Sequence, residues 1–207
     1  MKFNAITVAP DQGKTPLGLI VLMHGWGANA EDLATLAPIL DLPDYQFIFP
    51  DAPFDHGQVP GGRAWYALET MSYDGLSESR PGLQQWLGTL AEKTGFPPEQ
   101  TILGGFSQGG AMTLDVGREL PFAGLMSLSG YLHFSPDARE NYTTPVLMVH
   151  GRRDMVVPLG AARQARDYFQ GLNAPVQYHE LDMGHEIPPT VWQLIRSFVM
   201  ENLPKPD

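Results

Sequence analysis

The chain has 207 residues, 43% of them hydrophobic and 17% charged, which suits one globular domain with a proper core and excludes a disordered chain. Against 23 acidic residues stand 13 basic ones, a formal charge of −10 with no Lys/Arg run, so sustained attraction to nucleic acid or an anionic membrane is not expected, Arg152-Arg153 being the nearest thing to a positive spot. The absence of cysteine removes disulfides, thiolate nucleophiles and thiolate metal sites together.

The opening "MKFNAITVAP" holds one Lys and no sustained apolar run, so it does not read as a secretory signal, and no stretch reaches the length of a membrane span. A cytoplasmic protein is expected. In chain order, strands are predicted at 3–8, 17–23, 45–50, 101–106, 123–129, 145–150 and 176–182. Several are continuous apolar runs, as in strands covered on both faces. Helices are predicted at 30–40, 82–95, 107–120, 160–172 and 189–203. Alternating strands and helices point to an α/β fold with a mostly parallel central sheet flanked by helices. The first two strands, joined by the turn-rich "APDQGKTP", are expected to form an antiparallel hairpin at one edge. Nothing marks a repeat or linker, so residues 1–207 read as one domain. Residues 51–81 form its one long irregular stretch, which is expected to line a pocket.

The chemistry concentrates in Gly105-Phe106-Ser107-Gln108-Gly109, a G-x-S-x-G where a buried strand becomes a helix. To lift its Oγ clear of the sheet, the serine must occupy a sharply turned, strained backbone. The glycines on either side remove side chains that would collide as strand and helix close. The helix then begins at the nucleophile, so its free N–H groups favour negative charge nearby.

A serine hydroxyl needs a base, and the base needs an acid to fix its tautomer. In hydrolases of this architecture the order is Ser, acid, His, each just past a strand. "PVLMVHGRRDMVVP" puts Asp154 after one buried strand, and "YHELDMGHEIPP" puts His185 after the last. Both fall on the strands' carboxyl side with Ser107, where open α/β sheets place their sites. The other histidines read more plainly. His24 and His150 brace the glycine turns beside them, His179 sits inside a strand, and His56 and His133 fall on surface loops. Asp182 ends a strand too, but lies only three residues from His185, an awkward reach for an orienting partner.

A tetrahedral intermediate also needs two preorganised N–H donors. One is assigned to Gln108, the residue after the nucleophile. The other is assigned to Trp26, in the glycine turn "HGWG" after the second strand. That turn has a rival reading: Gly25-Trp26-Gly27-Ala28-Asn29-Ala30 is G-x-G-x-x-A, near the dinucleotide fingerprint, with Asp51 placed to reach a ribose. A nucleotide-dependent oxidoreductase leaves Ser107, Asp154 and His185 without a role. A non-catalytic binder on the same fold is the third class, and an intact triad argues against it. "HELDMGH" is not a helical H-E-x-x-H, so no metal site is expected, and no phosphate-loop motif is present. By position near the triad, Trp65, Leu76, Met155 and Val156 are candidates to line an acyl groove, with Leu68, Met71 and Tyr73 as a cover.

Taken together, "MHGWGANAEDL", "FPDAP", "RAWYAL", "GGFSQGGAMTL", "LSGYL", "PVLMVHGRRDMVVP" and "MGHEI" resemble the carboxylesterase, phospholipase and acyl-protein thioesterase family of small serine hydrolases, over roughly residues 16–202. The resemblance implies an α/β-hydrolase fold without a large cap domain and a Ser107–His185–Asp154 triad. It also implies donors at Trp26 and Gln108, no cofactor, and cleavage of carboxylic esters or thioesters. Two departures bear on substrate fit. Trp26 is bulkier than the leucine often found there, which narrows the acyl pocket, and "ETMSYDGLSESRPGL" matches poorly the family's acidic segment. Neither the physiological ester nor the oligomeric state follows from the sequence.

Overall fold

The computed structural model of the protein describes residues 1–10, 14–70, 72–133 and 141–205. Seven strands make one sheet: β1 (Ala5–Val8), β2 (Leu19–Met23), β3 (Gln46–Pro50), β6 (Thr101–Phe106), β7 (Gly124–Leu128), β8 (Val146–Gly151) and β9 (Val176–Leu181). They lie in the order β1-β3-β2-β6-β7-β8-β9. Every pairing is parallel except β1 with β3. β4 (Phe54–Asp55) and β5 (Arg63–Ala64) form a separate short ribbon.

The apolar runs are continuous because both faces of the sheet are covered. In β2, Leu19, Val21 and Met23 enter one core layer and Ile20 and Leu22 the other. On the first face pack α3 (Leu76–Gly88), α4 (Leu90–Thr94), α5 (Gln108–Val116) and α6 (Leu159–Gly171), through Leu83, Leu90, Met112 and Phe169. On the second pack α1 (Ala30–Ala34), α2 (Leu36–Leu40) and α7 (Pro189–Asn202), through Leu33, Leu40, Ile195 and Phe198. Phe169 and Phe198 are fully buried, so truncating either to alanine costs about 3–5 kcal/mol.

Three local expectations are corrected. β1 does sit at an edge and antiparallel, but its partner is β3, with Ala5 opposite Pro50 and Val8 opposite Phe47. All five residues of β2 are buried, so it takes a neighbour on each side, whereas no residue of β1 is buried and the edge suits it. The helix expected at 30–40 breaks at Thr35 into α1 and α2. The helix expected from residue 82 begins at Leu76, with Pro81 inside it. Pro81 leaves the Ser77 carbonyl without its helical donor, and Ser77 is exposed, so water can take that place. The irregular stretch therefore ends at Gly75.

Candidate active site

Ser107 joins β6 to α5 with φ 54° and ψ −115°, a conformation strained for any residue with a Cβ and worth about 1–3 kcal/mol. Backbone bonds hold it there: Ser107 N–H donates to the Leu128 carbonyl at 2.8 Å, and Ala111 N–H donates to the Ser107 carbonyl at 3.0 Å. The flanking glycines are required by space. A Cβ on Gly105 would lie 2.4 Å from the Gly109 carbonyl, and one on Gly109 would lie 2.2 Å from the Met23 carbonyl oxygen. The elbow thus presses against the end of β2 as well as against its own helix.

Asp154 and His185 stand on the loops after β8 and β9. His185 Nδ1 lies 2.7 Å from Asp154 Oδ2, and the Asp154 side chain is fully buried. Its other oxygen, Oδ1, accepts from the N–H groups of Val156 at 2.9 Å and Val157 at 2.8 Å. Burial pushes this carboxyl's pKa up, but the hydrogen bonds from His185, Val157 and Val156 outweigh it, and the net shift is downward. An ionised acceptor at Nδ1 fixes the imidazole with its proton there and leaves Nε2 as the basic nitrogen. The two loops are laced together by Arg152 N–H to the Leu181 carbonyl at 2.8 Å and Arg153 N–H to the Met183 carbonyl at 3.0 Å. Gly151 makes this approach possible, because a Cβ there would lie 2.4 Å from the carbonyl oxygens of both Met183 and Gly184. Asp182 pairs with Arg153 at 3.0 Å, away from the imidazole.

The His185 ring centroid is 4.7 Å from that of Phe106, the residue before Ser107, so the base candidate sits beside the elbow. No hydrogen bond joins Ser107 Oγ to His185 Nε2 among the described residues. Such bonds are often long in unliganded enzymes and tighten with substrate.

The turn after β2 lies against the same elbow, since a Cβ on Gly25 would be 3.3 Å from the Ser107 Cβ. Among the described residues neither the Trp26 nor the Gln108 N–H has an acceptor. His24 braces the turn: Nδ1 donates to the Gly25 carbonyl at 2.7 Å and Nε2 accepts from Ala52 N–H at 3.0 Å. Burial lowers its pKa against the raising effect of the Gly25 carbonyl, so it is a neutral strut. The dinucleotide reading of this turn fails on the helix it needs. α1 has five residues, Asn29 and Asp32 close a capping box on it, and Asp51 Oδ1 accepts from Ala30 N–H at 2.8 Å. Two carboxylates hold the place a pyrophosphate would take. Among the described residues no group of three or more His, Cys, Asp or Glu could hold a metal ion.

The substrate candidates scatter. Met155 and Val156 are 93% and 66% exposed, directly after Asp154. Trp65 is fully buried against Phe3, too deep to line a groove, because its ring fills the layer between the sheet and α3. Leu76 lines a cavity with Tyr73, Arg80, Asp115 and His133 that includes none of Ser107, Asp154 or His185. Of the cover residues, Leu68 is exposed, Tyr73 packs edge-on against Tyr66 with centroids 5.1 Å apart, and Met71 lies outside the described residues. His56 and His133 are not surface residues. His56 is 8% exposed and packs edge-on against Trp26, and the His133 side chain is buried with Nε2 2.9 Å from Asp115 Oδ2. A cavity of about 330 Å³ borders Trp26 and is walled by Phe54, His56, Ala64 and Ala67, with Asp55, Glu69 and Asp74 at its polar side; it too includes no triad residue and adjoins the site through Trp26. Sequence reasoning missed the four wall residues, since only the folding of 54–67 back onto the turn brings them there.

An α/β sheet with a strained serine elbow and a carboxylate–imidazole pair at its carboxyl rim defines the class: an α/β-hydrolase. Residues 4–203 match the phospholipase/carboxylesterase family, and the chain belongs to it. It is 29% identical to acyl-protein thioesterase 1 of Saccharomyces cerevisiae, covering 89% of this chain and 92% of that protein. With acyl-protein thioesterase 1 of Neurospora crassa it shares 30%, covering 88% and 82%. Among solved structures, the esterase PE8 superposes with a TM-score of 0.87 at 30% identity, covering 98% of this chain and 100% of that one. The protein is accordingly an enzyme, a hydrolase of the class that cleaves esters and thioesters. Among the described residues no helix is long and apolar enough to cross a membrane.

Proposed function

We propose that this chain, acting as one α/β-hydrolase unit, is a serine carboxylesterase or acyl thioesterase for small to medium acyl chains. Ser107 Oγ attacks the carbonyl carbon while its proton passes to His185 Nε2. The carbonyl electron pair moves to oxygen, and the N–H groups of Trp26 and Gln108 receive the resulting oxyanion. Collapse expels the alcohol or thiol, which takes the proton from His185, and leaves an acyl ester on Ser107. Water, deprotonated by His185, repeats the attack; collapse then breaks the bond from the acyl carbon to Ser107 Oγ, which takes the proton back from His185 as the carboxylic acid departs. Asp154 holds the imidazole in its tautomer and stabilises the imidazolium.

One observation carries this reading: the 2.7 Å bond from His185 to the buried Asp154, beside a serine at φ 54°. The thioesterase names of the yeast and Neurospora relatives support the thioester option, and the esterase structure supports the ester. The cavity beside Trp26 is the place for the acyl group, and the exposed Met155 and Val156 form an apolar lip. Location in the cytoplasm belongs to the same reading, and fractionation of cells producing the tagged chain tests it. Ser107→Ala is expected to fold and to lose hydrolysis of p-nitrophenyl butyrate and labelling by a fluorophosphonate. Wild-type turnover by that variant overturns the assignment.

A further inference from the structure

Gln108 is fully buried, and an amide taken out of water must find partners for its oxygen and nitrogen. It finds them on two consecutive residues of one segment. Oε1 accepts from Trp65 N–H at 2.9 Å, and Nε2 donates to the Tyr66 carbonyl at 2.8 Å. Trp65 and Tyr66 lie in a bend just past β5, so a single amide can take the N–H of the first and the carbonyl of the second.

The other end of the same segment is bonded to the glycine turn. Gly27 N–H donates to the Arg63 carbonyl at 2.9 Å, and Arg63 N–H donates to the Ala28 carbonyl at 2.8 Å. Between the two, the Trp65 indole Nε1–H donates to the His24 carbonyl at 2.9 Å. Arg63 anchors the segment further through Nε to the Ala52 carbonyl at 2.9 Å and Nη2 to the Pro53 carbonyl at 2.8 Å. Residues 63–66 therefore run as a strut from the loop carrying the Trp26 N–H to the residue carrying the Gln108 N–H. The two N–H groups stand at the ends of different strands, β2 and β6.

We infer that the Gln108 side chain is a positioning residue, clamping the 63–66 strut and so setting the spacing between the two oxyanion donors. This deepens the function proposed above and rests on it. Oxyanion donors act only within about 2.7–3.1 Å of the charge they receive, so a few tenths of an ångström between the loops decide whether both reach it. Any residue but proline at 108 supplies the backbone N–H; only an amide of this length supplies the clamp as well. The buried Trp65 gains a reason too: its indole is a bolt of the strut.

Gln108→Met keeps the length and the backbone donor and removes both clamp bonds. Counted per active site titrated with a fluorophosphonate, its kcat on p-nitrophenyl butyrate is expected to fall about 10- to 100-fold, with KM within roughly twofold. The inhibition constant of a trifluoromethyl ketone, whose adduct with Ser107 presents the oxyanion, is expected to rise by the same factor as kcat falls. A purely structural role lowers the titrated fraction and the Tm but leaves both quantities per site unchanged. Trp65→Phe removes the indole bolt at the other side of the strut and is expected to give a smaller loss with the same pattern; it decides the matter if Gln108→Met does not fold. Unchanged kcat per site, or a loss of kcat without weakened ketone binding, overturns the inference. Ser107→Ala, which takes no label and is therefore compared per folded protein, separates the outcomes: if that variant is inactive while Gln108→Met is wild-type, only the clamp is wrong.

Discussion

Gly151→Ala probes the contact that brings the acid and the base together. The new Cβ would lie 2.4 Å from two backbone oxygens, those of Met183 and Gly184, whereas ordinary contact begins at 3.4 Å. Neither oxygen belongs to a flexible side chain, so the loop carrying His185 must retreat by about 1 Å. A misplacement of that size costs about 100-fold in kcat, equivalent to about 2.7 kcal/mol on the barrier. The overpacking itself lowers stability by about 1–3 kcal/mol, and each kcal/mol lowers Tm by about 2–4 °C in a chain of this size. The assay is kcat on p-nitrophenyl butyrate per titrated site, with Tm measured alongside. Gly160→Ala is the control: nothing lies within 4 Å of its Cβ, and it sits in α6, where alanine is the better helix former. The control should keep kcat and gain up to about 1 kcal/mol in stability. Wild-type kcat and Tm in Gly151→Ala would refute the packing reasoning, and lost stability with intact kcat would refute the link from this contact to His185.

Asp154→Asn should lower kcat by about 10,000-fold, because the amide no longer holds the imidazole tautomer. The same carboxyl has a lowered pKa, so the stability it contributes is full above its ordinary value of 3.8 and is lost as pH falls through the lowered one; urea unfolding at pH 6 and pH 3 should show the gap to the variant shrinking. His24 has a lowered pKa from burial, so the unfolded chain binds a proton first as pH falls below 6.5, and stability drops from that point downward. His24→Gln should be less stable at pH 8 but lose less Tm between pH 7 and pH 5 than the wild type. Trp26→Leu should enlarge the cavity beside the oxyanion turn and move the peak of kcat/KM toward longer acyl chains, at about 1 kcal/mol or more per added methylene accommodated; a panel of p-nitrophenyl esters reads this, and an unmoved peak places the acyl group elsewhere.

From the chain alone come the α/β class, the strands of the sheet, the strained elbow at Ser107, and Asp154 and His185 as residues just past strands. These are local signals: an apolar run needs two covered faces wherever it lies, and glycines on either side of a serine at a strand end describe their own turn. Decided only in three dimensions were the pairing of β1 with β3, the start of α3 ahead of Pro81, the burial of His56, His133 and Trp65, and the strut through Gln108. Each depends on which distant backbone comes within hydrogen-bonding or van der Waals reach. Gly151 makes the distinction plain, since its sequence neighbours say nothing of the Met183 and Gly184 carbonyls that leave no room for a side chain.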